Sequence, residues 1–368
     1  MSRAARAVID LAALRHNYHQ ARIADPGAKQ YAVIKANAYG HGMVPVAQAL
    51  EDADGFAVAS VEEALELRAA GIQQPILLLE GFFHYDELKT ILQHNLDIVL
   101  HQSSQLTALE EATQHLKLAS PASKTLRAWL KVDTGMHRLG FSLEEVEAAW
   151  QRLKACSLVD DDICLMTHLA NADDLEDDIT RRQLELFATI LSETNTACSI
   201  ANSAGILGWP ESHSDIDRPG IMLYGVSPFV HENGGLRELH PVMTLRSELI
   251  AVNHCRQGDA LGYGGSWICP QDMPVGVVAM GYGDGYPRHA PNGTPVLVNG
   301  QRVPLVGRVS MDMICLDLRS QPEAKVGDTV VLWGSSLPAE EVAESAGTIA
   351  YELFCNVSMR VPRDYVHD

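Results

Sequence analysis

The chain has 368 residues, with 28 Lys and Arg against 47 Asp and Glu, a formal charge of −19. At 46% apolar and 20% charged it can bury a large core and does not read as disordered. The acidic balance, with no clustered Lys/Arg run, excludes a general binder of nucleic acid or anionic membrane, because neutralising phosphates takes such clusters.

Its length points to one large domain or two. The seven cysteines form no C-x-x-C pair and no regular spacing. They read as isolated thiols in a reducing compartment, neither a disulfide frame nor a zinc site. No apolar stretch approaches the roughly 18–20 residues of a membrane span. The Arg-bearing start MSRAARAVIDLAALRHNYHQAR lacks a secretory apolar core and runs into a helical pattern of Leu11, Leu14, Tyr18 and Ala21. It reads as part of a mature, cytoplasmic protein.

Between residues 31 and 225 short, near-continuously apolar runs alternate with helical segments. The predicted strands are YAVIK (31–35), FAVAS (56–60), PILLLE (75–80), DIVLH (97–101), RAWLKVD (127–133), ICLMTHLA (163–170), CSIANS (198–203) and IMLYG (221–225). Such runs suit strands buried on both faces. Between them, Leu143, Val146, Trp150 and Leu153 share one helical face, as do Leu184, Phe187, Ala188 and Leu191. Ser60 with Glu63 and Ser142 with Glu145 match capping boxes, and Gly71 ahead of Pro75 ends a helix. Eight such units predict an α/β fold, a (β/α)8 TIM-like barrel over residues 1–235, with an open doubly wound sheet as the competing topology.

Residues 236–368 change texture and read as a mostly β C-terminal domain. Strand-like runs are MTLRSELIAV, VGVVAM, TPVLVNGQRVPLVG, MICLDL and TVVLWG. The Asn-Gly pair of VNGQ (298–301) predicts a tight hairpin, and PAEEVAESAG (338–347) predicts a helix.

A βα barrel assembles its active site at the carboxyl ends of its strands. Those ends carry Lys35, Lys131 with Asp133, His168, and Asn202 with Ser203. Singly, a lysine closing a strand is more often a solvated charge and a lone histidine more often structural; several at equivalent ends point to chemistry. In AVIKANAYGHG (32–42), Lys35 lies among apolar and small residues, and Gly40 and Gly42 allow close backbone approach to a ligand. A desolvated lysine gives up its proton more readily, which suits Schiff-base formation with an aldehyde. Pyridoxal phosphate or a carbonyl substrate is the chemistry implied.

AVIKANAYGHG, KVDTGMHRLG (131–140), THLANAD (167–173), ANS (201–203), DRPGIMLYG (217–225), GYGGSW (262–267), GYGDGYPR (281–288), GRVSMDM (307–313) and YELFCNVSMRVPR (351–363) occur in this order. Together they resemble the alanine racemases over essentially the whole chain. The resemblance implies a pyridoxal-phosphate-dependent isomerase that interconverts L-alanine and D-alanine with two bases, one on each face of the cofactor. Lys35 would hold the cofactor and handle the proton of the D-antipode. Tyr263 would handle that of the L-antipode, supplied by the β domain of the other subunit in a head-to-tail homodimer.

The same resemblance implies a hydrogen-bond chain from Tyr263 through His168 to Arg218, with Arg218 at the pyridine nitrogen. An arginine cannot accept that proton, so the ring nitrogen would stay neutral. Arg138 would meet the cofactor's phenolic oxygen and the substrate carboxylate, and Lys131 matches a lysine often carbamylated, which would orient Arg138. Tyr39, Ser203, Tyr351 and the backbone N–H groups of Gly220 and Ile221 would hold the phosphate, with Asn202 also at the cofactor. Met311 and Asp312 would touch substrate, and Tyr282 would line the channel.

D-Alanine as product would suit peptidoglycan-precursor supply, with alanine catabolism as the other role. A serine or broad-range racemase, a basic amino-acid decarboxylase of the same architecture, and a non-enzymatic pyridoxal phosphate carrier are the alternatives. Tyr351 and Met311 suggest a pocket for a methyl side chain, and the carriers lack the β domain that bears Tyr263. DDLEDD (173–178) reads as a solvated helix start, not a metal site. No metal is expected, and no cysteine is given a role.

Overall fold

The computed structural model describes residues 3–115, 125–194, 196–230 and 238–367; the boundary expected at 235/236 lies outside them. Strand β1 (Arg6–Asp10) ends at Asp10, whose carboxylate accepts the N–H groups of Ala12 and Ala13 at 2.8 Å and so starts helix α1 (Leu11–Ala24). Helix α1 buries Leu11, Leu14, Tyr18 and Ala21, the stripe read from the sequence.

Eight short parallel strands follow: β2 (Lys29–Val33), β3 (Gly55–Val58), β4 (Ile76–Leu78), β5 (Asp97–Leu100), β6 (Ala128–Lys131), β7 (Cys164–Met166), β8 (Cys198–Ser199) and β9 (Ile216–Asp217). Their order runs β8-β7-β6-β5-β4-β3-β2-β9. The two ends of this order meet through the Arg218 N–H on the Ala201 carbonyl (3.0 Å) and the Ser199 hydroxyl on the Ile216 carbonyl (2.6 Å). The sheet is therefore a (β/α)8 barrel, and the doubly wound alternative falls.

Most predicted strands stand, trimmed because the last residues of each run leave the ladder to form the barrel mouth. IMLYG does not: Ile221–Tyr224 is a 3-10 helix, and the eighth barrel strand lies just upstream at Ile216–Asp217. All four residues of that helix are buried, and a short run buried on every side has no period to separate strand from helix.

The barrel is wrapped by α2 (Met43–Ala49), α3 (Val61–Ala69), α4 (Glu87–His94), α5 (Ser103–His115), α6 (Leu143–Ala155), α7 (Asp178–Thr194) and α8 (Ser203–Gly208). Val146, Trp150 and Leu153 of α6 are buried as expected, but Leu143, in its first turn, is exposed. In α7 the described buried positions are Thr180, Gln183, Phe187 and Ile190, and Ala188 faces water.

The second domain comprises β10 (Met243–Cys255), β11 (Ala260–Leu261), β12 (Trp267–Ile268), β13 (Met273–Val278), β14 (Pro295–Val298), β15 (Gln301–Val306), β16 (Ile314–Asp317), β17 (Thr329–Trp333), helices α9 (Ala339–Ala346) and α10 (Ala350–Asn356), and β18 (Arg363–Val366). The Asn-Gly hairpin forms: Val298 faces Gln301, with φ of 49° at Asn299 and 78° at Gly300. The sheet order β13-β16-β15-β14-β17-β10-β1-β18 places the first strand of the chain inside the second domain. Assigning residues 1–235 to the barrel did not foresee this, since RAVID carries no mark of its distant partners.

Candidate active site

Lys35 opens a turn, Lys35–Tyr39, immediately beyond β2. Ala36, Asn37, Ala38 and Tyr39 all have positive φ, between 49° and 55°. For residues with a Cβ this left-handed conformation costs roughly 1–2 kcal/mol each, so the turn persists because its surroundings fix it. The Asn37 carboxamide oxygen accepts the Met43 N–H at 2.8 Å. Arg363 Nε donates to the Gly40 carbonyl (2.6 Å) and the Tyr365 hydroxyl to that of His41 (3.2 Å). His41 is fully buried, and Nδ1 lies 3.0 and 2.9 Å from the Ala38 and Tyr39 carbonyls. Gly40, at φ 78°, sits where a Cβ would come 2.0 Å from the Phe354 carbonyl oxygen. Helix α10 and strand β18 thus clamp the segment that carries Lys35.

A group of cations gathers at the same mouth. Lys131 ends β6 and is buried; burial first, then Arg218, Arg138 and Lys35, push its pKa down to about 8. Arg218, just past β9, is buried and donates to the carbonyls of Thr167 (2.8 Å) and Ile200 (3.1 Å), to the Ser199 hydroxyl, and to His168 Nδ1 (3.4 Å). Burial lowers its pKa to about 10, which leaves it charged at neutral pH. Burial, followed by the charges of Arg218, Lys131, Arg138 and Lys35, pushes His168 well below the ordinary imidazole value. A neutral His168 that accepts at Nδ1 carries its proton on Nε2. Arg138 is exposed and has no hydrogen bond or ion pair among the described residues. Lys35, Lys131, Arg138, His168 and Arg218 therefore share one electrostatic environment, which favours an anionic ligand.

Hydrogen-bond donors ring the space beside Gly220. Asn202 caps α8, its side chain accepting the Gly205 N–H at 3.0 Å. Ser203 Oγ accepts the N–H groups of Gly220 (2.9 Å) and Met222 (3.3 Å), which leaves its own proton free to donate. The Gly220 N–H thus donates to the Ser203 hydroxyl. Ile221 opens the 3-10 helix, so its N–H has no acceptor within that helix. A Cβ on Gly220 would lie 3.0 Å from the Tyr39 hydroxyl. The Tyr39 ring packs on Tyr224 (4.8 Å) and Tyr351 (5.8 Å). Burial raises the pKa of both Tyr39 and Tyr351, the latter to about 12, so both phenols keep their protons to donate.

Tyr351 aside, the expected β-domain residues lie apart from this group. Tyr263 is 70% exposed on a loop where Gly262, Gly264 and Gly265 all have positive φ. The Met311 carbonyl accepts the Gly283 N–H (2.8 Å), and Asp312 pairs with Arg360 (2.7 Å). Tyr282 is partly exposed in a 3-10 helix. Among the described residues, no hydrogen bond or ring contact joins Tyr263, Tyr282, Met311 or Asp312 to Lys35, His168 or Arg218. Tyr263, Tyr282 and Met311, with Ile268, Met313, Ile349 and Met359, present exposed apolar groups.

Three residues at the site escaped sequence reading. His41 lies in AYGHG and Tyr224 in DRPGIMLYG, but neither motif shows that His41 fastens the turn or that the Tyr224 hydroxyl donates to the Val33 carbonyl (3.0 Å). Glu63 was read only as a cap. Ser142 and Glu145 do form the full capping box, whereas the Glu63 carboxylate bypasses its N-cap residue and accepts the N–H groups of Ala36 and Ala59, both at 2.7 Å.

The family profile described as "Alanine racemase, N-terminal domain" matches residues 9–228, and "Alanine racemase, C-terminal domain" matches residues 242–365. The "Alanine racemase, catabolic" of Pseudomonas putida is 53% identical over 365 residues, 99% of each chain. The alanine racemase of Halorhodospira halophila is 53% identical over 367 residues, 100% of this chain and 99% of that one. The crystal structure of the biosynthetic alanine racemase from Pseudomonas aeruginosa superposes with a TM-score of 0.93 at 45% identity, covering 99% of this chain and 100% of that one. The Bacillus anthracis alanine racemase, solved with bound L-Ala-P, superposes with a TM-score of 0.88 at 31% identity, over 100% and 96% of the two chains.

Proposed function

The chain belongs to the alanine racemase family of isomerases, and from that premise we propose that it interconverts L-alanine and D-alanine with pyridoxal phosphate, as a homodimer with shared active sites. The observation that carries the reading is the buried Arg218 fork against a neutral His168, beside Lys35, Lys131 and Arg138. The donors of Tyr39, Ser203, Tyr351 and Ile221, with Gly220 leaving room where a side chain would press on Tyr39, suit a phosphate dianion.

Pyridoxal phosphate, when bound, supplies an electron-withdrawing system that acidifies the Cα–H of an attached amino acid. The protein does the rest. Lys35 holds the cofactor and moves the proton at Cα on one face. Arg218, already committed to Thr167, Ile200 and Ser199, stays charged and cannot take a proton from the ring nitrogen. Arg138, without a hydrogen-bond or ion-pair partner among the described residues, is available to the substrate carboxylate. Lys131 retains enough free base near its pKa of about 8 for carbamylation, which would give Arg138 an anion to lean on.

Inversion needs a second proton carrier on the opposite face. Within one chain Tyr263 stands exposed, so we assign that role to Tyr263 of the partner subunit, with His168 Nε2–H as the donor that stabilises its phenolate. Tyr282, Met311 and Asp312 would approach the substrate from the same side. Among the described residues no helix is long and apolar enough to cross a membrane, and we place the enzyme in the cytoplasm.

The test is absorbance of the purified protein supplied with pyridoxal phosphate, followed by addition of L-alanine and assay of D-alanine. A chromophore lost in Lys35→Ala together with D-alanine formation is expected. A chromophore without D-alanine, or release of CO2 from lysine or ornithine, would overturn the reading.

A further inference from the structure

The glutamate that bypasses its own helix start has a geometry that bears on Lys35. Strands β2 and β3 pair in parallel up to Val33 opposite Ala57, and the Ile34 N–H still bonds the Ala57 carbonyl at 3.0 Å. The next donor of a continuing ladder would be the Ala36 N–H. There the chain turns left-handed, and the ladder stops. Glu63, the third residue of α3, takes over: Oε1 accepts the Ala36 N–H and Oε2 the Ala59 N–H. One carboxylate thereby bridges the carboxyl ends of two neighbouring barrel strands, one of them at the residue directly after Lys35.

We propose that Glu63 is a positioning residue for Lys35: by holding the Ala36 N–H it fixes where the left-handed turn begins and hence the direction in which the Lys35 side chain leaves the barrel. The inference rests on the role of Lys35 as proton carrier under the racemase reading. A carboxylate is required because both oxygens accept charge-assisted bonds. A glutamine offers one acceptor and sets its NH2 against the other backbone N–H. Ser60, whose hydroxyl accepts the Glu63 N–H at 3.5 Å, supports the same helix start without touching Ala36. It separates helix capping from lysine positioning.

The experiment compares the parent, Glu63→Gln, Glu63→Ala and Ser60→Ala, each as the full chain. In protein free of pyridoxal phosphate, amide hydrogen exchange in the segment 34–42 is expected to be about tenfold faster in both Glu63 variants and unchanged in Ser60→Ala. In the loaded enzyme, kcat should fall about tenfold with little change in KM. The isotope effect with Cα-deuterated D-alanine should rise, while that with L-alanine does not. If Glu63→Ala fails to fold, the isosteric Glu63→Gln carries the comparison. Exchange and isotope effects indistinguishable from a racemising parent would overturn the proposal, as would the same changes in Ser60→Ala. A parent that does not racemise would instead sink the reading of Lys35, and amide exchange would still decide whether Glu63 fastens the turn.

Discussion

His41 makes the acid sensitivity of the Lys35 turn calculable. Its ring is fully buried, packs on Tyr224 (4.5 Å) and Phe354 (5.1 Å), and leaves Nε2 without a hydrogen-bond partner among the described residues. Burial lowers its pKa from 6.5 to about 4, only partly offset by the carbonyls of Tyr39 and Ala38. Because the unfolded chain takes up this proton first, the stability tied to a neutral His41 is complete above pH 6.5 and drains away as the pH falls toward 4. Integrating between those two values gives a loss of about 2 kcal/mol from pH 7 to pH 5, rising to about 3 kcal/mol below pH 4. His41→Gln removes this titration. The variant should be less stable than the parent at pH 7, yet its loss on going to pH 5 should be smaller by about 2 kcal/mol. Urea unfolding followed by tryptophan fluorescence at the two pH values measures the difference, since contributions from His101 and His168 are common to both proteins. A pH response matching the parent's to within about 0.5 kcal/mol would refute the argument.

Arg218→Gln removes the cation nearest His168, so the imidazole should titrate at higher pH than in the parent; an NMR titration showing no upward movement would contradict the coupling. With labelled bicarbonate, a carbamate carbon signal should appear at pH 8, weaken at pH 6 as Lys131 protonates, and vanish in Lys131→Arg. Mixed Lys35→Ala and Tyr263→Phe subunits should recover about a quarter of the parental activity, because half the dimers are hybrids and each has one intact site. No recovery after confirmed subunit exchange would rule out sites shared between subunits.

The barrel was legible because its strands are buried on both faces and several carry a polar residue at the mouth: Lys35, Lys131, His168 and Ser203 needed only that register to be placed. Tyr263 was legible solely through the resemblance of GYGGSW, since within one chain it touches none of the residues it would serve. The eighth strand was misplaced because Ile221–Tyr224 is more continuously apolar than Ile216–Asp217. That the Ser203 hydroxyl accepts the Gly220 N–H is a three-dimensional fact with no sequence period. Glu63 fits a capping pattern so well that its longer reach, to Ala36 across the strand pair, stayed hidden.

The placement of β1 between β10 and β18 bears on the order in which the protein can be made. Its residues pair antiparallel with the stretch around Met243–Arg246 and in parallel with Arg363–Val366. During synthesis RAVID emerges first and must wait for partners hundreds of positions later, a closure that is slow to form. Asp10, the last residue of this idle strand, meanwhile caps α1. The barrel can assemble while the ribosome is still at work, whereas the second sheet is completed only when its last strand arrives. A nascent or truncated chain stopping before residue 363 would keep β1 as a bare sheet edge, open to pairing with other copies of itself.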